Sequence, residues 1–326
     1  MPLLDLAMVI LGLIILLAAG DFLVKGAVNL ALRLGIPAFI VSLTVVAFGT
    51  SAPELLISVK AVLEDAPGIA LGNVVGSNIA NVLMVLGVPA LFFGLQTADC
   101  DTKRSYQQMI AATVLFIVVC FLGPITWMHG LVLLAALFWM LWDATSEARA
   151  HKRANTATDA ASEDVQDDEE EVEGADPDLP WTKILLYLAL GLIGLPFGAD
   201  LLLDGAVNIA RAMGMSEAII GLTLVAFGTS LPELAAVTAA AYRGHGDVAL
   251  GNVFGSNMFN LLAIIGTAAL FGDMRVPGEI LNFDIWMMTA VTLVIAPIVY
   301  MRLNIGRVLG AVLTVAYAVY VVVLLT

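Results

Sequence analysis

The sequence predicts an all-α polytopic membrane protein, with ten transmembrane helices arranged as two inverted-topology repeats of five. Three observations carry that expectation. Of 326 residues, 60% are apolar and 13% charged, and the mean hydropathy is +0.97; no soluble surface can be built from that mixture. Ten apolar segments are long enough to cross the hydrocarbon core of a bilayer. Residues 20–87 recur at 199–266 with a constant offset of 179 and no gap, the mark of an internal duplication.

In chain order the segments fall at 6–24, 37–63, 69–95, 107–123, 125–145, 181–204, 216–241, 248–272, 280–301 and 304–325. The first follows Asp5 instead of the basic residues of a secretory leader, so it is expected to be a retained span. The second and third carry the polar motifs of the first half. Only Gly123 and Pro124 part the fourth from the fifth. Residues 146–180 then break the apolar pattern. Between 147 and 178, twelve acids stand against Arg149, Lys152 and Arg153, which places −9 of the net −14 charge in one stretch. Rich in Ala, Ser, Asp and Glu and almost without aromatics, it reads as a disordered, solvated linker. The seventh and eighth spans carry the motifs again, and a short basic turn joins the ninth to the tenth. The chain therefore divides into a first five-helix repeat (1–145), an acidic linker (146–180) and a second repeat (181–326).

Basic residues orient the chain. With the N-terminus outside, eleven of fourteen Lys and Arg residues fall at inside loops or helix ends, and only Lys60, Arg211 and Arg275 fall outside. Both termini are then expected outside a plasma (inner) membrane, with the linker cytoplasmic. Five spans per copy is an odd number, so the second copy enters the membrane upside down. Inverted repeats of this kind are the architecture of secondary transporters, which bind their cargo near the bilayer midplane where the repeats meet.

The repeated residues are polar where a lipid-facing helix would be apolar. L-T-V-V-A-F-G-T-S-A-P-E-L at 43–55 matches L-T-L-V-A-F-G-T-S-L-P-E-L at 222–234, with eleven of thirteen identical. Glu54 and Glu233 thus fall mid-span in both copies, where a carboxylate costs about 2.5–3.5 kcal/mol on insertion scales and must face a cavity or a partner. No Lys or Arg lies at comparable depth, so the expected counter-ion is a cation from solution. Pro53 and Pro232 each remove a backbone N–H, and the adjoining Gly-Thr-Ser lets the helix open and frees carbonyls near Thr50 and Thr229. A packing kink would explain either proline alone, but not both beside a glutamate. Two carboxylates with carbonyls and hydroxyls can supply the six to eight oxygens that calcium takes.

A-L-G-N-V-V-G-S-N-I-A-N at 70–81 matches A-L-G-N-V-F-G-S-N-M-F-N at 249–260. Asn73, Ser77 and Asn81 form a stripe at i, i+4 and i+8, as do Asn252, Ser256 and Asn260. Helix packing accounts for the glycines of Gly72-x-x-x-Gly76 and Gly251-x-x-x-Gly255, though not for the stripe. Ser51, Ser77, Ser230 and Ser256 are neutral oxygen donors suited to sodium. Asp21 and Asp200 lie near helix ends and read as interfacial. Lys25 aligns with Asp204, so that position is not symmetric.

Other chemistries are excluded or unsupported. Nucleic-acid binding needs clustered cations, and no G-x-x-x-x-G-K-[ST] loop exists for nucleotide. His129, His151 and His245 are scattered, and Cys100 and Cys120 form no metal or redox motif. No cofactor and no enzymatic activity are expected.

The paired G-T-S-x-P-E and G-N-V-x-G-S-N-x-x-N segments resemble the two alpha-repeats of the calcium/cation antiporter superfamily, of the prokaryotic sodium/calcium exchanger type. The repeats cover about 136 of 326 residues, and the ten-span layout covers the rest. The resemblance implies that Glu54 and Glu233 are calcium ligands aided by the Thr50 and Thr229 carbonyls. It implies sodium sites at Ser51, Ser77, Ser230 and Ser256, sharing Glu54 and Glu233 and completed by the Ala47 and Ala226 carbonyls, with Asn81 and Asn260 flanking the centre. Some relatives, including the potassium-dependent branch, carry Asp in place of Asn260, which argues against potassium coupling here. The proton-coupled branch usually reads G-N-x-x-E where this chain has G-T-S-x-P-E. The expected function is electrogenic calcium/sodium antiport by alternating access. Proton-driven calcium antiport at the same sites is the alternative, and a calcium-responsive membrane receptor or structural protein is a distant one.

Overall fold

The computed structural model of the protein describes residues 2–159, 176, 178–213 and 226–325. These residues are helical throughout, and strand geometry is limited to two isolated bridges. In chain order the helices are α1 (Pro2–Leu34), α2 (Ala38–Thr50), α3 (Ala52–Leu63), α4 (Pro67–Phe93), α5 (Lys103–Phe121), α6 (Trp127–Asp159), α7 (Trp181–Ala212), α8 (Ala226–Thr229), α9 (Leu231–Tyr242), α10 (Gly246–Ala268), α11 (Ile280–Tyr300) and α12 (Arg307–Leu325). Seven are long and apolar enough to cross a membrane, or eight if the bent pair α2 and α3 counts as one span. The protein is a multi-span membrane protein. The expected spans 107–123, 248–272 and 280–301 coincide with α5, α10 and α11 to within a few residues.

Several boundaries differ from the hydropathy reading, for one reason. Helical backbone continues past the apolar stretch wherever good helix formers follow, because intrahelical hydrogen bonds do not require a membrane. So α1 extends beyond 6–24 to Leu34, α6 beyond 145 to Asp159, and α7 beyond 204 to Ala212. The start of the predicted span 216–241 and residues 160–175 and 177 of the acidic linker lie outside the described residues. The linker's first part, 146–159, is helix continuing α6 and not the disordered connector expected, because Ala, Glu, Arg and Lys there favour helix.

Turn geometry repeats with the sequence. Helices α3 and α9 end in turns with positive φ at equivalent positions, Asp65 (58°) and Gly244 (74°). Gly123 (119°) and Arg302 (52°), again 179 apart, take positive φ after α5 and α11. Leu95 exchanges two backbone hydrogen bonds with Ile305, at 2.9 and 3.1 Å, and Met274, the equivalent of Leu95, exchanges two with Ile125, at 2.8 and 2.9 Å. Each bridge therefore ties one half of the chain to the other.

Helices α4 and α10 form the centre. In their most apolar stretches 83% and 94% of the residues are buried, against 22% for α1 and α6. The outer face of α1 exposes Leu3, Leu6, Ile10, Leu13 and Leu17, which suits hydrocarbon solvent. Its inner face packs antiparallel on α7 through small residues. A Cβ on Gly12 would lie 2.6 Å from the Leu202 nitrogen, and one on Gly191 2.5 Å from the Leu23 Cβ, so the two backbones touch. The same device joins α10 to α2, because added Cβ atoms at Gly251 and Gly255 would strike Phe39 to Ala47. The packing role expected for these two glycines is the one they have.

Candidate functional site

The site forms where α2 breaks into α3 and α8 breaks into α9. Ser51 (φ −84°, ψ 4°) and Ser230 (φ −90°, ψ 5°) interrupt the helices at equivalent positions, and Pro53 and Pro232 follow in the first turns of α3 and α9. Proline fits there because the first helical N–H groups have no intrahelical acceptor. The first break bends the helix by 44°. Glu54 and Glu233 stand in those first turns, where the helix N-terminus carries partial positive charge and favours an anion. Sequence alone places two glutamates mid-span; the break adds an electrostatic reason for their position.

The structure brings both breaks together. The Ser51 hydroxyl donates to Glu233 Oε1 at 3.3 Å, and Glu54 lies within Coulombic range of Glu233. Both carboxylates are 1% exposed, and among the described residues no Lys or Arg pairs with either. Two buried like charges without a cation are strongly unfavourable.

Around them α4 and α10 supply the polar stripe. Thr50, Ser51, Ser77, Asn81, Thr229, Ser230, Asn252, Ser256 and Asn260 are all buried. The Thr50 hydroxyl lies 3.4 Å from Asn252 Oδ1 and 3.3 Å from the Ala47 carbonyl, which also accepts the Ser51 N–H. Ser256 donates to Asn252 Oδ1 at 3.4 Å. Asn73 is turned to α3, donating to Ser58 Oγ at 3.2 Å and to the Glu54 carbonyl at 3.5 Å. Its equivalent Asn252 has Val237 where Asn73 has Ser58, and the Asn252 amide nitrogen has no acceptor. Ala226 and Thr229 bound the short helix α8.

Six buried side-chain atoms among the described residues lack a hydrogen-bond partner, and five are oxygens. They are Glu54 Oε2, Glu233 Oε2, Ser230 Oγ, Asn81 Oδ1 and Asn260 Oδ1. Buried polar atoms in native proteins are almost always partnered. Orphans that are acceptors, two of them on carboxylates, form the donor set of a hard cation. No group of three His, Cys, Asp or Glu residues could hold a metal among the described residues; the orphaned oxygens beyond the two carboxylates belong to one hydroxyl and two amides.

Several partners were not evident in the sequence. Asn78 and Asn257 are buried and accept the amides of Asn260 and Asn81. Asn78 is three residues before Asn81 and so shares its helix face, a signal present in the repeat. Met109 and Met288, which receive the other amide hydrogens of these asparagines, lie outside the aligned motifs, although they too are 179 apart. Two of the four helices concerned also take a π-turn here, at Asn81–Val85 and Phe259–Ile264, geometry common at functional sites. Asp21 is held in ion pairs by Lys25 (2.9 Å) and Arg243. The equivalent positions hold Asp200, Asp204 and Glu64, so the two cationic partners of Asp21 have no counterpart in the other copy.

The geometry can be set beside known proteins. The sequence profile of the family described as "Sodium/calcium exchanger protein" matches residues 4–142 and 183–326. The sodium/calcium exchanger MaX1 of Methanosarcina acetivorans is 33% identical, with 97% of each chain covered. The inner membrane protein YrbG of Escherichia coli is 33% identical over 99% of this chain and 97% of its own. The solved structure of the sodium-calcium exchanger NCX_Mj superposes with a TM-score of 0.81 at 31% identity, covering 99% of both chains.

Proposed function

The chain belongs to the sodium/calcium exchanger family, and from that premise we propose that it exports calcium in exchange for external sodium, by alternating access, through one shared site. Membership makes it a membrane cation antiporter, with transport and not catalysis as its work. The five unpartnered buried oxygens around Glu54 and Glu233 carry the finer reading. In it, calcium is held by both carboxylates and the Thr50 and Thr229 carbonyls. Sodium is held by Ser51, Ser77, Ser230 and Ser256, with the same carboxylates and the Ala47 and Ala226 carbonyls. Asn73, Asn81, Asn252 and Asn260 flank the centre, and Pro53 and Pro232 keep the helices open. A ten-span architecture of two inverted repeats, divided at 145 and 181, is supported by the antiparallel α1 and α7 and by the paired asparagine contacts that recur at an offset of 179.

Charge arithmetic sets the test. Two carboxylates with one calcium sum to zero; with three sodium ions they sum to +1. The cycle is then electrogenic, and each net charge gains about 2.3 kcal/mol per 100 mV. In proteoliposomes at a fixed sodium gradient, calcium flux should rise several-fold as an inside-negative potential is set in the direction of sodium entry. Flux indifferent to voltage would indicate two sodium ions per calcium. Flux that persists without sodium and follows pH would assign the proton as driver.

Orientation follows from the charge bias. Arg33 donates to the Leu179 carbonyl at 2.9 Å and Asn29 accepts the Asp176 N–H at 2.9 Å, so the end of the linker docks at the basic end of α1. We propose that this end is cytoplasmic. With Cys100 and Cys120 replaced, a cysteine at Ser162 should label only from the cytoplasmic side and one at Thr326 only from outside, two positions beyond the described residues. Labelling of both from one side would overturn the arrangement.

A further inference from the structure

A carboxamide can face a cation with oxygen or with nitrogen, and only oxygen binds. In this protein the choice is made two residues away. Asn81 donates its amide to Asn257 Oδ1 at 3.0 Å, and Asn257 in turn directs its own Nδ2 at the Met109 sulfur, 3.6 Å away. The same chain runs in the other half. Asn260 donates to Asn78 Oδ1 at 3.5 Å, and Asn78 Nδ2 points at the Met288 sulfur at 3.7 Å. All six side chains are at most 2% exposed, and each residue lies 179 from its counterpart.

We propose that Asn257 and Asn78 are positioning residues, polarised by Met109 and Met288, which compel Asn81 and Asn260 to turn their carboxamide oxygens toward the transported cation. The inference rests on the cation site proposed above. A thioether accepts hydrogen bonds and never donates. The neighbouring amide must therefore offer it nitrogen and point its oxygen the other way. That oxygen takes the NH₂ of the next amide, which leaves the second oxygen free. Asn81 Oδ1 and Asn260 Oδ1 are the buried, unpartnered oxygens of the site. Turning over both amides of either chain would set a carboxamide oxygen against the thioether sulfur, two acceptors face to face, and would aim an NH₂ group at the cation. A methionine that merely filled space would not discriminate between the two ends of an amide.

The test is calcium binding to the purified full-length chain by titration calorimetry, with thermal melting in the absence of ions. Met109→Leu and Met288→Leu keep the volume and delete the acceptor. Each should weaken calcium binding about three- to tenfold, the range of one such contact, while the melting temperature stays close to that of the unaltered chain. Met109→Gln restores an acceptor oxygen and should return affinity to within about twofold of the parent. A pure packing role predicts the opposite order, because glutamine in a dry pocket is worse than leucine. Unchanged affinity in both leucine variants, or a glutamine variant weaker than leucine, overturns the relay alone. A parent chain that binds no calcium overturns the cation site and the relay with it.

Discussion

Glu54→Gln and Glu233→Gln should each lower calcium flux into proteoliposomes by at least about a hundredfold. Removing one charge from a desolvated ion cluster costs on the order of 3–5 kcal/mol, and each 1.4 kcal/mol is tenfold. Gln preserves shape and hydrogen-bonding reach, so the loss reports charge and not packing. Stability should move the other way. Both carboxylates are buried with an oxygen lacking any partner, so in the absence of ions neutralising one relieves repulsion and should leave the melting temperature equal or higher. If either glutamate served only to pin neighbouring helices, its glutamine variant would transport normally and melt lower. Comparing flux with ion-free melting therefore separates a ligand from a structural group.

Gly255→Val should both destabilise the protein and abolish exchange. An added Cβ would collide with the Leu43 carbonyl and stand 2.5 Å from the Ala47 Cβ. Overpacking of this kind costs typically 1–3 kcal/mol, about 2–4 °C in melting temperature for each kcal/mol in a chain of this size or somewhat smaller. Function suffers more than stability, because relief must come from moving α2 just ahead of the break that presents Thr50, Ser51 and Glu54. Gly306→Ala is the control, since no described atom lies within 4 Å of its added Cβ. A Gly255→Val protein with normal melting and normal flux would refute the tight α2–α10 contact.

Much of the site was legible because duplication separates constraint from accident. Random apolar helices share hydrophobicity; they do not share Gly-Thr-Ser-x-Pro-Glu in register. Glu54 and Glu233 could be singled out from one chain because burial of charge in a bilayer is costly enough to require a purpose. Helix breaks were legible from Pro53 and Pro232, whose missing N–H is a local fact. The role of Met109 and Met288 was not, because methionine in an apolar helix looks like any other filler until its sulfur is seen beside an amide. Asn78 and Asn257 stood in plain view within the motifs, but a stripe counted at i, i+4 and i+8 steps over the i+5 neighbour. Helix ends such as Leu34 and Ala212 escaped because hydropathy measures where water ends, whereas helices end where hydrogen bonding fails.

The two small bridges, Leu95 with Ile305 and Ile125 with Met274, bear on how the molecule can move. Each joins one copy of the duplicated unit to the other, and the main core runs continuously from Val24 to Tyr320 through both. Prising the copies apart as two rigid blocks would break four backbone hydrogen bonds and tear a shared interior, besides severing both asparagine chains. The copies are entwined like the strands of a knot. The division at the acidic linker proposed above is one of ancestry; mechanics cannot follow that cut. In the alternating access proposed above, the displacement that opens the site to either side runs between groups of helices drawn from both copies, so the inherited unit and the moving unit of this protein are different things.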